Sequence, residues 1–362
     1  GVEHVIGSLD VNTRYNGMEY TYTGDEWLVY LDGKTGMPYH IGPTEHPEYM
    51  TYPLLRGSDS DWGTGIVGHR SSKYFFGAPF LDCHHPSIFL ARGAYSQHKM
   101  AAYDVARLTH RLSQRWEWHN NVSTSPWYGN GFHNYCVADV DWDGRDEIVY
   151  GSMVIDDNGL GLSTTGLGHG DAQHCSDFDP YRHGQEIFTC NEAKPCNNYR
   201  DATTSTIYYR LVGNDDDGRA MCANVSDAYP GAEAASAASG IINCCSAKVI
   251  DGWTNNWYTG NDPMALNFRI YWDGDLLEET VNSPGTEKEC IIVKPSQGRI
   301  FQTGGVSMCN WTKNTPCAMG DIIGDWREEL VLRDGSNKEL RIYTTPKTTT
   351  YRNYSLWHDH QY

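Results

Sequence analysis

Positive charge is scarce in this chain of 362 residues, and long apolar runs are absent. Lysine and arginine total 28 against 46 aspartates and glutamates, which leaves a formal charge of −18 at pH 7. This excess excludes nucleic acid and anionic membrane surfaces as partners, because proteins bind both through positively charged side chains. No run approaches the roughly 18 apolar residues of a membrane span. An acidic polysaccharide would also be repelled unless bound cations intervened.

Helical periodicity is scarce as well, which argues against a helical bundle. The chain instead has 37 glycines, 24 tyrosines and 12 tryptophans, a composition typical of many short strands joined by turns. The apolar runs that predict strands are 27–31, 87–91, 147–150, 186–189, 329–332 and 340–343. The sequence therefore predicts an all-β fold in one domain.

The cysteines indicate the compartment. Eleven occur, and none has the C-x-x-C spacing of a zinc ribbon, so disulfides are the better interpretation. The odd count leaves one thiol over, which could crosslink two chains. Four N-x-[ST] sequons support the secretory route, at Asn121, Asn224, Asn310 and Asn353. We therefore predict a secreted glycoprotein with disulfide bonds.

An acidic turn followed by a glutamate and an apolar strand recurs along the chain. Copies lie at 138–149, 176–188, 224–233 and 320–331, with a degenerate copy at 81–89. One turn plus a few strands per repeat is typical of a β-propeller blade. A β-sandwich with acidic loops is the alternative, but a sandwich has no reason to repeat one turn.

One of these copies carries a candidate metal site. Asp139, Asp141 and Asp143 precede Gly144 with the alternate spacing of the oxygen ligands in a calcium loop. The final glutamate and the flanking helices of an EF-hand are missing. The spacing therefore predicts bound calcium, and the alternative is that these carboxylates cap backbone amides.

Two further groups are candidates for chemistry. His169, Asp171 and His174 lie among glycines that let a ligand approach the backbone. They suit a metal ion or a substrate anion, or alternatively they only hold loops together. Lys313 and Arg219 are cations in a chain poor in them, but spacing alone would place both in solvated loops.

Taken together, these segments resemble the family 11 polysaccharide lyases, the rhamnogalacturonan lyases. The matching segments follow the family's order, at 130–134, 138–147 with 151–153, 163–172, 271–277, 324–329 and 340–345. The resemblance implies an eight-bladed propeller, of which about five or six blades fall in this chain. Residues 1–362 would then be one propeller domain truncated at both ends. It also implies a secreted, Ca²⁺-dependent enzyme that cleaves the rhamnose–galacturonate backbone of rhamnogalacturonan I by β-elimination.

The resemblance also implies roles for individual residues. Four match the calcium-associated cleft positions of the family: His133, His169, Asp171 and Glu192. Lys313 and Arg219 match its basic cleft residues, with Lys313 predicted as the base and Arg219 as the charge stabiliser. Asn310 and Thr312 match the substrate-contacting loop, in which Trp311 replaces the usual glycine.

Two alternatives to an enzyme remain. The first is a catalytically inactive carbohydrate-binding or structural glycoprotein on the same scaffold. It is supported by the odd cysteine, by Trp311 and by the sequon at Asn310, because a glycan there would block the cleft. The second is a calcium-stabilised adhesion propeller without sugar specificity.

Overall fold

The fold is all-β, as predicted. A computed structural model describes residues 2–6, 11–15, 18–21, 26–39, 49–57, 62, 70–106, 108, 111–213, 215–237, 240–250, 265–266, 268–295, 297–359 and 361–362. The described residues form strands, with short 3-10 helices at Trp311–Lys313 and Leu356–His358. Among them no helix is long and apolar enough to span a membrane. The chain divides into two compact units, Gly1–Gly170 and Asp171–Tyr362, and a single domain over 1–362 stays a prediction.

The described strands of the first unit pair in antiparallel sheets. Strand β4 (Glu26–Tyr30) lies between β1 (Val2–Ile6) and β5 (Tyr49–Thr51), while β2 (Val11–Tyr15) pairs with β3 (Met18–Thr21). A four-stranded sheet follows in chain order, made of β6 (Tyr74–Gly77), β7 (Ile88–Arg92), β8 (His98–Ala106) and β9 (Arg111–Asn120). The next four-stranded sheet comprises β10 (Cys136–Ala138), β11 (Glu147–Tyr150), β12 (Met153–Ile155) and β13 (Gly161–Thr164).

The second unit repeats the four-stranded pattern four times. Its first sheet has β14 (Gly170–Ser176), β15 (Glu186–Asn191), β16 (Cys196–Asp201) and β17 (Ile207–Val212). Its second has β18 (Ala220–Ala223), β19 (Glu233–Ser236), β20 (Ile242–Asn243) and β21 (Lys248–Val249). Its third has β22 (Phe268–Ile270), β23 (Glu279–Asn282), β24 (Ile291–Lys294) and β25 (Gly298–Gln302). In its fourth, β28 (Glu329–Asp334) pairs with β26 (Val306–Ser307), β27 (Ala318–Gly320) and β29 (Leu340–Tyr343).

Within each unit, consecutive sheets pack face to face. In the first unit Phe89 and Ile148, from neighbouring sheets, share one apolar core. In the second unit Phe188 and Ala234 do the same. Strands β11, β15 and β19 are buried at every residue. Each large apolar side chain buried in this way contributes about 1.5–3 kcal/mol. Closure of the sheets into a ring stays a prediction.

In five sheets a buried glutamate begins a strand and fixes the turn before it. Glu147 Oε2 accepts a hydrogen bond from Val140 N at 2.8 Å, and Glu279 Oε2 accepts one from Trp272 N at 2.9 Å. The same contact joins Glu186 to Asp179 N (3.2 Å), Glu233 to Val225 N (3.1 Å) and Glu329 to Ile322 N (2.9 Å). Buried amides need such partners, so the repeat read from the sequence is a structural unit.

Two copies of this repeat differ from the sequence prediction. Residues 271–279 form a full copy, ending at Glu279, that the repeat pattern did not include. The degenerate copy at 81–89 is built without a glutamate, since Asp82 Oδ1 accepts from His84 N (2.9 Å) and His85 N (2.6 Å) instead. The amide of Phe80, seven residues before Ser87, instead donates to Asp146 Oδ2 at 2.6 Å.

Candidate functional site

The loop that carries Lys313 has a tightly constrained backbone. Cys309 and Thr315 close its base by exchanging two 2.8 Å hydrogen bonds. Trp311 has a φ of 50°, in the left-handed region that non-glycine residues seldom adopt. Its side chain is 71% exposed. The loop directs the Lys313 ammonium towards Asp171, with Nζ 3.4 Å from Oδ2.

Arg219 reaches the same loop from a different segment of the second unit. Its Nη2 donates to Thr312 Oγ1 at 2.7 Å, and Thr312 is the neighbour of Lys313. Gly218, with a φ of 59°, lies before it, where a Cβ would stand 3.8 Å from Asp171 Oδ2. The second unit therefore brings together four of the predicted site residues, and the positive φ of Gly218 favours glycine at the position before Arg219.

The acidic run 215–217 lies beside this group. Burial, and then the charge of Asp171, raise the pKa of Asp216, while Lys313 acts in the opposite direction. Asp217 is buried and accepts a hydrogen bond from Asn197 Nδ2 at 3.2 Å. Asp215 and Asp216 are exposed, so Asp217 is the member of this run that is removed from solvent.

This arrangement suits an anionic substrate that must lose a proton. The guanidinium of Arg219 is permanently charged and can pair with a carboxylate through two hydrogen bonds. The amine of Lys313 is a general base in its neutral form. Trp311 offers an exposed aromatic face beside both, the kind of surface on which a sugar ring stacks.

In the first unit, His169 is buried in a defined tautomer. Its Nδ1 lies 2.6 Å from Gly131 O and 2.9 Å from Ala94 O. Since both partners are acceptors, Nδ1 carries the proton and the lone pair lies on Nε2. Metal-binding histidines are commonly held in this way. His133 packs edge-on against it, with ring centroids 4.8 Å apart, so the predicted histidines lie together.

The two carboxylates predicted with these histidines lie in the second unit. Asp171 is its first residue and pairs with Lys313. Glu192 follows β15 directly and is exposed. Carboxylates are ligands that calcium prefers, whereas imidazole suits transition metals better. The assignment of all four residues to calcium stays a prediction.

Carboxylates converge at the turn of residues 139–147, called here the 139–147 turn. Asp139, Asp141 and Glu147 each contribute one oxygen to a group within 4.8 Å, and Glu147 forms a second such group with Asp156 and Asp157. Glu147 Oε1 is fully buried and has no hydrogen-bond partner among the described residues. Burial, and then the nearby aspartate charges, raise the pKa of Glu147 to about 9. Hard oxygen donors around a buried acceptor fit a divalent cation such as calcium.

The composition of this group differs from the predicted one. Asp143 instead accepts Arg145 N at 2.9 Å and has its Oδ2 3.7 Å from Arg145 Nη1. Glu147, Asp156 and Asp157 were missed. The place of Glu147 at the start of a strand was visible in the sequence. The pairing of β11 with β12, which brings the other two close, was not.

The sequons and cysteines have different outcomes. All four sequon asparagines are exposed, namely Asn121, Asn224, Asn310 and Asn353. Glycosylation at them stays a prediction.

The eleven cysteines all lie within the described residues, and no two are bonded. Two pairs of Sγ atoms approach, Cys222 with Cys244 at 3.6 Å and Cys309 with Cys317 at 3.8 Å. The expected disulfides are therefore not confirmed.

The sheets and the site define a class of protein. It is an all-β protein of repeated four-stranded sheets that carries a basic loop and carboxylate-lined turns. The chain belongs to rhamnogalacturonan lyase family 11, because the sequence model of that family's C-terminal domain matches residues 1–362. The family resemblance read from the sequence is confirmed.

Two curated proteins of Bacillus subtilis (strain 168) are similar to the chain. The rhamnogalacturonan endolyase YesW is 36% identical over 368 residues, which cover 100% of this chain and 55% of the relative. The rhamnogalacturonan exolyase YesX is 37% identical over 384 residues, which cover 100% and 59%. The chain thus spans little more than half the length of these relatives.

Solved structures share the fold. That of rhamnogalacturonan lyase YesW gives a TM-score of 0.82 at 34% identity, over 99% of this chain and 58% of the other. That of exotype rhamnogalacturonan lyase YesX gives 0.84 at 34%, over 99% and 59%. A Bacillus licheniformis rhamnogalacturonan lyase gives 0.82 at 33%, over 99% and 58%.

Proposed function

We propose that this chain is part of a secreted, calcium-dependent rhamnogalacturonan lyase. The observation that carries the proposal is the contact of Lys313 with Asp171 beside Arg219, in a chain of this family. The similar proteins are named as an endolyase and an exolyase of rhamnogalacturonan. Their names support an acidic polysaccharide, rhamnogalacturonan I or a related polyuronate, as the substrate.

The reaction proposed is β-elimination at a galacturonate residue. The Lys313 amine takes the proton from C5, the electron pair forms the C4–C5 double bond, and the O4 substituent leaves with its bonding electrons. The amine must be neutral to act. Arg219 donates a hydrogen bond to the adjacent Thr312, which places its guanidinium beside the loop that carries this amine.

Arg219 has a separate part in the same step. Loss of the C5 proton builds negative charge on a sugar that already carries a carboxylate. A guanidinium aimed at that carboxylate stabilises the charge as it develops. It also fixes the sugar relative to Lys313, because a bidentate contact sets both distance and direction.

Calcium is proposed as the cofactor. The oxygen donors of the 139–147 turn fit it, and there it would stabilise the fold. At the cleft, a calcium bound by His133, His169, Asp171 and Glu192 would neutralise the galacturonate carboxylate and make the C5 proton more acidic. The carboxylates in that set suit calcium better than the imidazoles do.

We also propose the eight-bladed propeller for the whole protein. Successive four-stranded sheets that pack face to face within each unit support it. We propose secretion and glycosylation because the asparagines of all four sequons are exposed.

The test is the activity of the full-length protein on rhamnogalacturonan I, followed by the ultraviolet absorbance of the unsaturated product. Lys313→Ala should lower kcat at least about 100-fold, the usual contribution of a general base. Arg219→Ala should lower kcat and also raise KM. Lys338→Ala removes an exposed lysine of the same unit and should leave the activity unchanged. An unimpaired Lys313→Ala variant would remove the assignment of the base.

One observation favours a second function, an inactive carbohydrate-binding glycoprotein. Asn310 is exposed in the same loop as Lys313, so a glycan on it would stand at the site. Mass spectrometry of the peptide containing Asn310 decides between the two functions together with the assay. A glycan there and no unsaturated product from the wild-type protein would favour the second.

A further inference from the structure

Lys294 is a buried lysine at the end of β24. Its side chain is 2% exposed, and its Nζ lies 2.8 Å from Asp273 Oδ2, 2.7 Å from Asp275 Oδ2 and 2.9 Å from Glu279 Oε1. An ammonium has three N–H donors, and here each one meets a carboxylate. The lysine is therefore the positive centre of a group of three negative charges.

These carboxylates belong to the turn of residues 273–279, called here the 273–279 turn. Glu279 fixes this turn through Oε2, which accepts Trp272 N, and this leaves Oε1 for Lys294. One oxygen from each of Asp273, Asp275 and Glu279 lies within 4.8 Å of the others. Without the ammonium, this donor set is that of a divalent-cation site.

The 139–147 turn has the same glutamate contact but no lysine. Continuing the β23–β24 register by one pair places Lys294 opposite Glu279. Continuing the β11–β12 register by one pair places Asp156 opposite Glu147. A carboxylate thus stands where the other turn has a cation, next to a buried Glu147 Oε1 that has no hydrogen-bond partner among the described residues.

We propose that Lys294 is the built-in cation of the 273–279 turn. Its ammonium takes the place that a divalent cation such as calcium takes in the 139–147 turn, and its removal turns the three carboxylates into a divalent-cation site. Ionised carboxylates packed this closely repel one another, and a cation from the chain or from solution relieves that repulsion. The comparison between the two turns rests on the calcium proposed for the 139–147 turn, whereas the role of Lys294 in its own turn is tested separately, and both are independent of the lyase reaction.

The experiment is Lys294→Ala in the full-length protein, with calcium chloride as the probe. Equilibrium dialysis followed by elemental analysis should find one more calcium per chain than in the wild type. The thermal unfolding midpoint of the variant should fall in chelator and recover in calcium. The control combines Lys294→Ala with Asp273→Asn and Glu279→Gln, and it should gain no calcium.

Three outcomes decide the matter. An extra calcium in Lys294→Ala that is lost in the control supports the proposal. The same calcium count in Lys294→Ala and the wild type overturns it. A Lys294→Ala variant that stays unfolded in calcium as well as in chelator also overturns it, because a divalent cation should replace the ammonium.

A separate variant tests the assumption about the first unit. Glu147→Gln in an otherwise wild-type chain should lose one calcium. If it loses none while Lys294→Ala still gains one, the calcium proposed at Glu147 is wrong and Lys294 remains the cation of its own turn. Lyase activity is not a readout, so an inactive enzyme bears on neither result.

Discussion

In the 139–147 turn of the first unit, Glu147 holds the backbone with one carboxylate oxygen and buries the other among aspartates. In the 273–279 turn of the second unit, Glu279 makes the same backbone contact and gives its other oxygen to Lys294. The two turns share the contact between glutamate and backbone, but only the carboxylates of the 273–279 turn have a lysine ammonium among them. The 273–279 turn contains its cation, whereas we propose that the 139–147 turn binds one from solution.

The difference shows what a covalently attached cation changes. The stabilisation from a bound ion depends on its free concentration and vanishes in chelator. The stabilisation from Lys294 does not, because the ammonium is part of the chain. The two turns share one glutamate contact, but calcium should change the free energy of unfolding through the 139–147 turn and not through the 273–279 turn. The following experiments test that contrast.

The largest effect is expected from Glu279→Ala. It removes the turn contact and one of the three partners of a buried ammonium, and breaking a buried ion pair costs about 3–5 kcal/mol. Urea unfolding measures the free energy of unfolding. The loss should be equal in calcium and in chelator.

The matched control for that variant is Glu339→Ala. The Glu339 side chain is 65% exposed and lies 3.3 Å from Arg341 in the same unit. An exposed pair of this kind contributes at most about 1 kcal/mol. If calcium restored the stability of Glu279→Ala, the contrast between the two turns would be lost.

An intermediate effect is expected from calcium removal. A site supplied with calcium at about 100 times its Kd contributes about 2.7 kcal/mol, so at that calcium concentration chelator should lower the free energy of unfolding of the wild type by about this amount for one site. Glu147→Gln should reduce the response to chelator by the share of one site. Glu117→Gln, on the exposed side of β9, should leave it unchanged. An undiminished response in Glu147→Gln would mean that the ion binds elsewhere.

The smallest effect is expected from Arg145→Ala. Arg145 Nη1 lies 3.1 Å from Asp157 Oδ2, but the arginine side chain is 45% exposed. Such a pair contributes about 0–1 kcal/mol by urea unfolding. A loss as large as that of Glu279→Ala would make Arg145 the built-in cation of the 139–147 turn, and the two turns would then be alike.

The sequence predicted the strands well where an apolar run follows a glutamate. Runs 147–150 and 340–343 coincide with β11 and β29, and 186–189 and 329–332 are extended at one end in β15 and β28. The reason is local, because alternating or continuous apolar residues fix a strand wherever its partners lie.

The charged groups were harder to predict because they depend on contacts between distant segments. Lys294 follows three apolar residues and resembles a surface lysine at a strand end. Its burial follows from the register that places it opposite Glu279, 15 positions away. The His169 tautomer depends on carbonyls 38 and 75 positions away. Neither separation leaves a trace in residue spacing.

Because the glutamate at the start of the strand binds a backbone amide, it fixes the shape of the turn before it whatever side chains that turn carries. The repeat that ends at Glu147 has Trp142 and Gly144 in its turn, while the repeat that ends at Glu186 has Pro180 and Tyr181. Both present a backbone amide to the glutamate. The sequence, length and charge of one turn can therefore change in evolution without affecting the others. The fold can acquire new binding sites in this way while its buried glutamate contacts and its core stay the same.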